Sequence, residues 1–479
     1  MKLEKKYGLP MAIAMVIGIV IGSGVFFKAQ TILQKTGGDM PLGIIAWIIG
    51  GLVMLVCAYC LATLGTRFDK INGLVDYAEA TIGGRYAYMV GWFMTTVYTP
   101  CLTSVLAWLS ARYTLAVFMP DTPESFTSGR CLCLACLYLV SVYALNALSP
   151  IIAGKLQVST TVIKLIPLAL MAVVGTIYGV AFTPSGEAAP LLIENFNTGK
   201  GNWNELFGAV VATAFAYEGW IIATTINAEL KDAKKNLPRA LIIGTVVVML
   251  VYIAYYVGIA GGASVEVLTH DGATQAFKNI FGNVGGTILN VFVAISCLGT
   301  LNGLMVGCTR NLYSIAARNE GPRPEVFSQV DSATNMPTNS AVAAVLISAI
   351  WLFYFFAANL DNIFVATYSA DSANALVRLL GTLSEDGLTY TVGWFCFDSS
   401  ELAIITLYAF YIPIFIKMYT FEFLSTFKRF VMPTLAIIGS LFMIFAAIYA
   451  HRWGALYYLI ITTVILLIGA AYMKKKDAE

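Results

Sequence analysis

The stretch that decides the fold is VIGIVIGSGVFF, Val16 to Phe27. It closes an apolar run that starts at Leu9 and has the length a bilayer demands. Gly22, Ser23 and Gly24 interrupt that run. A helix in lipid must pair its backbone N–H and C=O groups within itself, because hydrocarbon offers no partner. A glycine-serine-glycine step there predicts a break, with N–H groups freed on one side and carbonyls on the other.

The rest of the chain sets that break in a membrane. Of 479 residues, 58% are hydrophobic and only 12% are charged; a soluble domain carries roughly a quarter charged residues. Apolar runs of about 20 residues recur about twelve times, centred near residues 10–33, 42–66, 86–119, 129–148, 156–181, 205–229, 240–262, 284–316, 340–359, 400–419, 429–450 and 454–473. The alternating pattern of a barrel is absent, so the expected fold is an all-α polytopic membrane protein of about twelve helices. Most of the 29 lysines and arginines fall on one side if the spans alternate, among them Lys2, Lys5, Lys6, Lys231, Lys234, Lys235, Arg239, Lys474, Lys475 and Lys476. The positive-inside rule then puts both termini in the cytoplasm, with a retained first span rather than a cleaved leader.

A second break appears in the sixth span, VVATAFAYEGWIIATTINAEL, at Tyr217, Glu218 and Gly219. The two breaks lie five spans apart. An odd number of spans per half gives the halves opposite orientation, the inverted repeat of many secondary transporters, whose binding sites sit where broken helices meet. A bound zwitterion satisfies both kinds of freed group. Its carboxylate is expected on the N–H groups of Gly22, Ser23 and Gly24, at the positive end of a half-helix. Its ammonium is expected on carbonyls near Val20 and Phe215. The candidate substrate-binding set is therefore Val20, Ile21, Gly22, Ser23 and Gly24 with Phe215, Ala216, Tyr217, Glu218 and Gly219.

Two ionisable residues inside spans are functional candidates by default. Lys164, in QVSTTVIKLIPLAL, is read as a fixed cation bridging the fifth span to the first break, against snorkelling to the cytoplasm. Glu218 stands in the second break, where it can bind a cationic substrate, accept a coupling proton, or pair with Lys164 or water.

Other functions find little support. The two histidines, His270 and His451, fall in outer connections, and Ser23 has no base beside it in sequence, so an enzyme is not expected. The net charge of +2 gives no reason to expect nucleic acid. Among nine cysteines, Cys131, Cys133 and Cys136 lack a second cluster to complete a metal site, and neither metal nor cofactor is expected.

These stretches resemble the amino acid, polyamine and organocation (APC) transporter superfamily, most closely its L-type amino acid exchangers and their bacterial counterparts. The matching pieces are VIGIVIGSGVFF, NALSPIIAGKLQVSTTVIKLIPLAL, FAYEGW, NAELKDAKKNLPRA and RNLYSIAARNEGPRPEVFSQV. The resemblance implies a five-plus-five inverted-repeat, leucine-transporter-like fold with two extra C-terminal helices; in this chain the first repeat is expected over 1–181, the second over 182–419 with a long outer loop at 360–400, and the two further spans with a cytoplasmic tail over 420–479. It implies a sodium-independent, alternating-access exchanger of neutral L-amino acids in the plasma membrane. Gly22, Ser23 and Gly24 would hold the carboxylate, the Val20 and Phe215 carbonyls the ammonium, Phe215 would gate the outer side, and Lys164 would replace bound sodium. Members linked to a single-span glycoprotein carry a cysteine between spans three and four; MPDTPESFTSGR has none, so no obligatory partner of that kind is expected. Three features depart from the pattern. Glu218 stands where a small residue is usual, which keeps open proton-coupled transport or exchange of cationic amino acids or polyamines. Ile221 replaces a polar residue, and the 360–400 loop is long, to be read as an ordered cap, a partner surface or a poorly ordered insert.

Overall fold

The computed structural model describes residues 8–68, 73–119, 122, 126–183, 189–199, 201, 203–223, 230–332, 336–384 and 386–473. Lys2, Lys5, Lys6, Lys70, Lys200, Lys474, Lys475, Lys476, Glu385, residues 120, 121 and 123–125 of the loop after span 3, and residues 224–229 of span 6 lie outside them.

Span 1 is two helices, Leu9–Val20 and Gly24–Lys35, bent by 54° across Ile21–Ser23. Span 6 runs Leu206–Ala216, breaks at Tyr217–Gly219 and resumes at Trp220–Ala223. The other early spans are span 2, Met40–Gly65; span 3, Gly84–Phe118; span 4, Gly129–Leu148; span 5, Pro150–Ala181, with a turn residue at Lys164; span 7, Ala233–Ala260; and span 8, Ala273–Ala316, kinked at Gly282. Span 9 follows at Thr338–Asn359, span 10 at Ser399–Met418, span 11 at Phe427–His451 and span 12 at Trp453–Ala471. Among the described residues ten helices are long and apolar enough to cross a membrane, and the bent span 1 makes eleven. The broken span 6 completes the expected set.

Burial sorts these helices. Two thirds of the apolar stretch of span 10 (67%) is buried, whereas spans 4 and 12 bury 28% and turn the remainder outward, as lipid-facing helices do. Spans 1 and 6 lie inside, span 1 against span 7 and span 6 against spans 2, 10 and 11. Span 3 opens out into a π-helical turn at Met94–Tyr98, just ahead of Pro100, whose missing N–H cannot continue a regular ladder. That turn sets Tyr98 on the face that Leu102 and Leu106 share at four-residue spacing.

The 360–400 segment folds as an ordered cap. Strands β1 (Val365–Ser369), β2 (Thr382–Leu383) and β3 (Thr389–Gly393) form an antiparallel sheet in the order β1-β3-β2, with Val365 opposite Gly393 and Ser369 opposite Thr389. Ala373, Val377 and Val392 give it a small core. In the turn before β3 the Ser384 hydroxyl (2.5 Å) and Leu388 N–H (3.0 Å) donate to Asp386, holding its carboxyl below the usual range. The cap is tied down by Tyr354, whose hydroxyl donates to the Phe395 carbonyl (2.8 Å), and by the Trp453 indole N–H on Leu379 (3.2 Å). Asp398 then caps span 10, accepting from the Ser400 and Glu401 N–H groups at 2.7 and 3.1 Å.

Candidate functional site

The two breaks lock into each other crosswise. A Cβ on Gly24 would sit 2.7 Å from the Ala216 Cα and 3.1 Å from the Phe215 carbonyl oxygen; one on Gly219 would meet the Ile19 carbonyl at 3.1 Å. Gly219 also holds φ at +108°, a conformation side chains rarely adopt. Glycine is thus required where each half-helix end crosses the other span.

Breaking span 1 leaves carbonyls at the end of its inner half, and their partners are side chains. The Lys164 ammonium, 4% exposed, donates to the Gly18 carbonyl at 2.7 Å. A cation at the C-terminal end of a helix is favoured by both the hydrogen bond and the helix dipole. Among the described residues Lys164 makes no ion pair with Glu218. The Tyr252 hydroxyl lies 3.1 Å from the Val20 carbonyl and 2.9 Å from that of Ala216. A phenol has one proton, so it serves one of these carbonyls at a time and leaves capacity for a further donor. Tyr217, 2% exposed, faces away from the ligand space and donates to the Trp47 carbonyl (2.9 Å), with its ring 5.2 Å from that of Tyr252.

The N–H side is less completely supplied. The outer half-helix begins at Gly24, and Ser23 before it makes no capping bond with its side chain. Among the described residues the buried Ser23 Oγ has no oxygen or nitrogen partner; the Cys297 thiol is its neighbour. A buried hydroxyl beside a helix N-terminus, with only a thiol beside it among the described residues, fits a carboxylate.

Both breaks open on one cavity of about 300 Å³, lined by Val20, Gly22, Ser23, Gly24, Lys164, Phe215, Ala216, Glu218 and Gly219 from the expected set. Span 3 adds Tyr98, Leu102 and Leu106, and span 8 adds Thr300, Gly303, Leu304 and Val306. Ile21 is buried, 1% exposed, and is not on the cavity wall. Two larger recesses, about 660 and 390 Å³, lie among outer connections around His270 and contain none of the break residues. At the end of the break-lined cavity far from the 360–400 cap, a further cavity of about 220 Å³ shares Gln157, Gly303 and Val306 with it and reaches Arg310 and Met336.

Toward the 360–400 cap the cavity meets an aromatic and ionic layer. Phe215 packs edge-on against Phe27, with ring centres 5.7 Å apart, and the Lys28 ammonium lies 4.8 and 5.3 Å from those two rings. Lys28 is buried in an ion pair with Glu401 of span 10, whose other oxygen is 3.1 Å from the His451 Nε2 at the end of span 11. Reading the sequence misses this cluster, because Lys28 looks like the outer flank of span 1 and His451 like a loop residue. The available signal is Glu401 itself, an acid in the first turn of an otherwise apolar run, SSELAIITLY. Tyr98 and Tyr252 carry no such signal, being two among 25 tyrosines.

Two broken spans, meeting around a buried ligand-sized cavity, define a secondary transporter. The chain belongs to the amino acid permease family, whose model matches residues 7–470, within the APC superfamily. It is similar to the serine/threonine exchanger SteT of Bacillus subtilis (strain 168), 29% identical over 70% of this chain and 73% of that protein. The human large neutral amino acids transporter small subunit 2 is 30% identical over 68% of this chain and 60% of its own length. The human Asc-type amino acid transporter 1 is 28% identical over 68% and 62%. The chain therefore spans less than two thirds of these human relatives. The crystal structure of MhsT in complex with L-phenylalanine has the same fold, with a TM-score of 0.53 at 12% identity over 98% of this chain and 100% of that one. The fold is thus all-α, leucine-transporter-like and multi-pass, and the relatives are transporters rather than enzymes.

Proposed function

We propose that this chain exchanges neutral L-amino acids across the plasma membrane by alternating access, without sodium and without an obligatory glycoprotein partner. The observation that carries this reading is the pairing of a Ser23 hydroxyl that has no oxygen or nitrogen partner among the described residues, at the N–H end of the first break, with Lys164 on the Gly18 carbonyl at the other end. The first suits a substrate carboxylate. The second supplies, as part of the chain, a positive charge that a sodium-coupled transporter would borrow from a bound ion. In this reading Gly22, Ser23 and Gly24 hold the carboxylate, the Val20 and Phe215 carbonyls receive the ammonium, and Ala216, Tyr217, Glu218 and Gly219 shape the second break. Residues 1–181 and 182–419 form the two repeats, with 420–479 appended and both termini cytoplasmic. A relative named as an exchanger supports the transport mode.

The test is uptake into proteoliposomes of labelled neutral, cationic and anionic amino acids, with and without internal substrate, sodium and a proton gradient. Neutral uptake that requires internal substrate and ignores sodium is the expected result. Uptake of cationic substrates alone, or uptake that follows the proton gradient, would instead favour the second reading, which the cavity-facing position of Glu218 keeps in play.

A further inference from the structure

The head group of an amino acid leaves Glu218 unused. Its carboxylate lines the 300 Å³ cavity and accepts a hydrogen bond from the Tyr98 hydroxyl. Tyr98 is buried, 3% exposed, and sits at the end of the π-helical turn of span 3. Among the described residues no lysine, arginine or histidine pairs with Glu218. An ionised carboxylate offers about four acceptor positions; Tyr98 and the Gly219 N–H fill two. Much of the cavity wall is carbon, from Leu102, Leu106, Leu304 and Val306, beside the polar side chains of Ser23, Gln157, Lys164 and Thr300. An acceptor facing such a wall costs free energy unless a donor meets it, and a site that includes one discriminates against ligands lacking the donor.

We propose that Glu218 is the side-chain selectivity element of this site, held in place by Tyr98 as a positioning residue, and that it selects amino acids whose side chain carries an O–H or N–H donor over aliphatic ones of the same shape. The assignment rests on the head-group reading above, which places the ligand in the same cavity. Hydroxyl, amide and ammonium side chains share the required chemistry. The span 3 turn that aims Tyr98 at Glu218 thereby becomes part of specificity.

Equilibrium binding to the purified full-length protein tests this with two near-isosteric pairs, L-threonine against L-valine and L-ornithine against L-norvaline. The wild type should bind the donor-bearing member of at least one pair about tenfold or more tightly. A preference confined to the first pair identifies a neutral donor; one confined to the second identifies an ammonium. Glu218→Leu should equalise the pair by weakening the donor-bearing ligand, and Tyr98→Phe should reduce the ratio while leaving aliphatic binding in place. If Glu218→Leu does not fold, Glu218→Gln serves: it should lose an ammonium preference and keep part of a hydroxyl preference. Wild-type affinities equal within about twofold in both pairs, or a ratio unchanged in the folded Glu218 variant, would overturn the assignment while leaving the head-group reading intact. Failure of all four ligands to bind would overturn both.

Discussion

The two breaks occupy corresponding places in oppositely directed halves, yet they are finished differently. In span 1 the carbonyl end is met by Lys164 and Tyr252, whereas at the N–H end the Ser23 hydroxyl is left without an oxygen or nitrogen partner among the described residues. In span 6 the break carries a carboxylate that Tyr98 already serves, and its backbone is steadied from behind by Tyr252. Pseudo-symmetry thus fixes where the helices open, and side chains decide what each opening does. The unfinished break suits a group common to every amino acid, while the furnished one suits the part that varies.

Removing the cation of the first break should have the largest effect on exchange. Lys164→Ala deletes a charged hydrogen bond to Gly18, worth about 1.5–3 kcal/mol, so exchange should fall by about 10- to 150-fold with membrane expression retained. Wild-type flux in that variant would remove Lys164 from the account. Next come the glycines, which separate close packing from ligand space. Gly24→Ala drives a Cβ into the Ala216 backbone at 2.7 Å, whereas one on Gly22 meets nothing nearer than the Thr300 hydroxyl at 3.4 Å. Flux in Gly24→Ala should therefore drop about tenfold more than in Gly22→Ala, a difference of about 1.4 kcal/mol. Equal effects would mean that the crosswise packing does not limit transport.

The aromatic and ionic layer offers a third comparison. Glu401→Gln leaves the buried Lys28 charge unpaired, and breaking such a pair costs about 3–5 kcal/mol. Thermal stability should fall, and a cysteine placed at Thr300 should react faster with an impermeant reagent from outside. An unchanged labelling rate would show that the ion pair does not hold the outer side shut. The smallest effect belongs to Ser23→Ala: loss of one hydroxyl donor, about 0.5–1.5 kcal/mol, should raise the KM of exchange by about 2- to 12-fold with little change in maximal rate.

The sequence made the fold legible because its signals are local. Apolar run length marks the spans, and Gly22-Ser23-Gly24 and Tyr217-Glu218-Gly219 mark the breaks. Lys164 and Glu218 stand out because charge is rare in such runs. What sequence reading misses depends on partners far apart in the chain. Lys28 and Glu401 are 373 residues apart, and each looks like an ordinary flank until the fold joins them. Tyr252 caps two carbonyls from different spans, and nothing in VVVMLVYIAYYVG distinguishes it from Tyr255 or Tyr256. The cap over 360–400 was open to three readings because its strands are only two to five residues long, too short for alternation to declare itself.

The central claim is that the first break seats both ends of an amino acid head group. It is tested most directly by binding L-threonine and two analogues of it, the decarboxylated amine and the deaminated hydroxy acid, to the purified protein. Both analogues should lose at least about tenfold in affinity, since each strands one side of the break. An amine that binds as tightly as threonine would contradict the claim and make Glu218, rather than Gly22–Gly24, the principal anchor of the site.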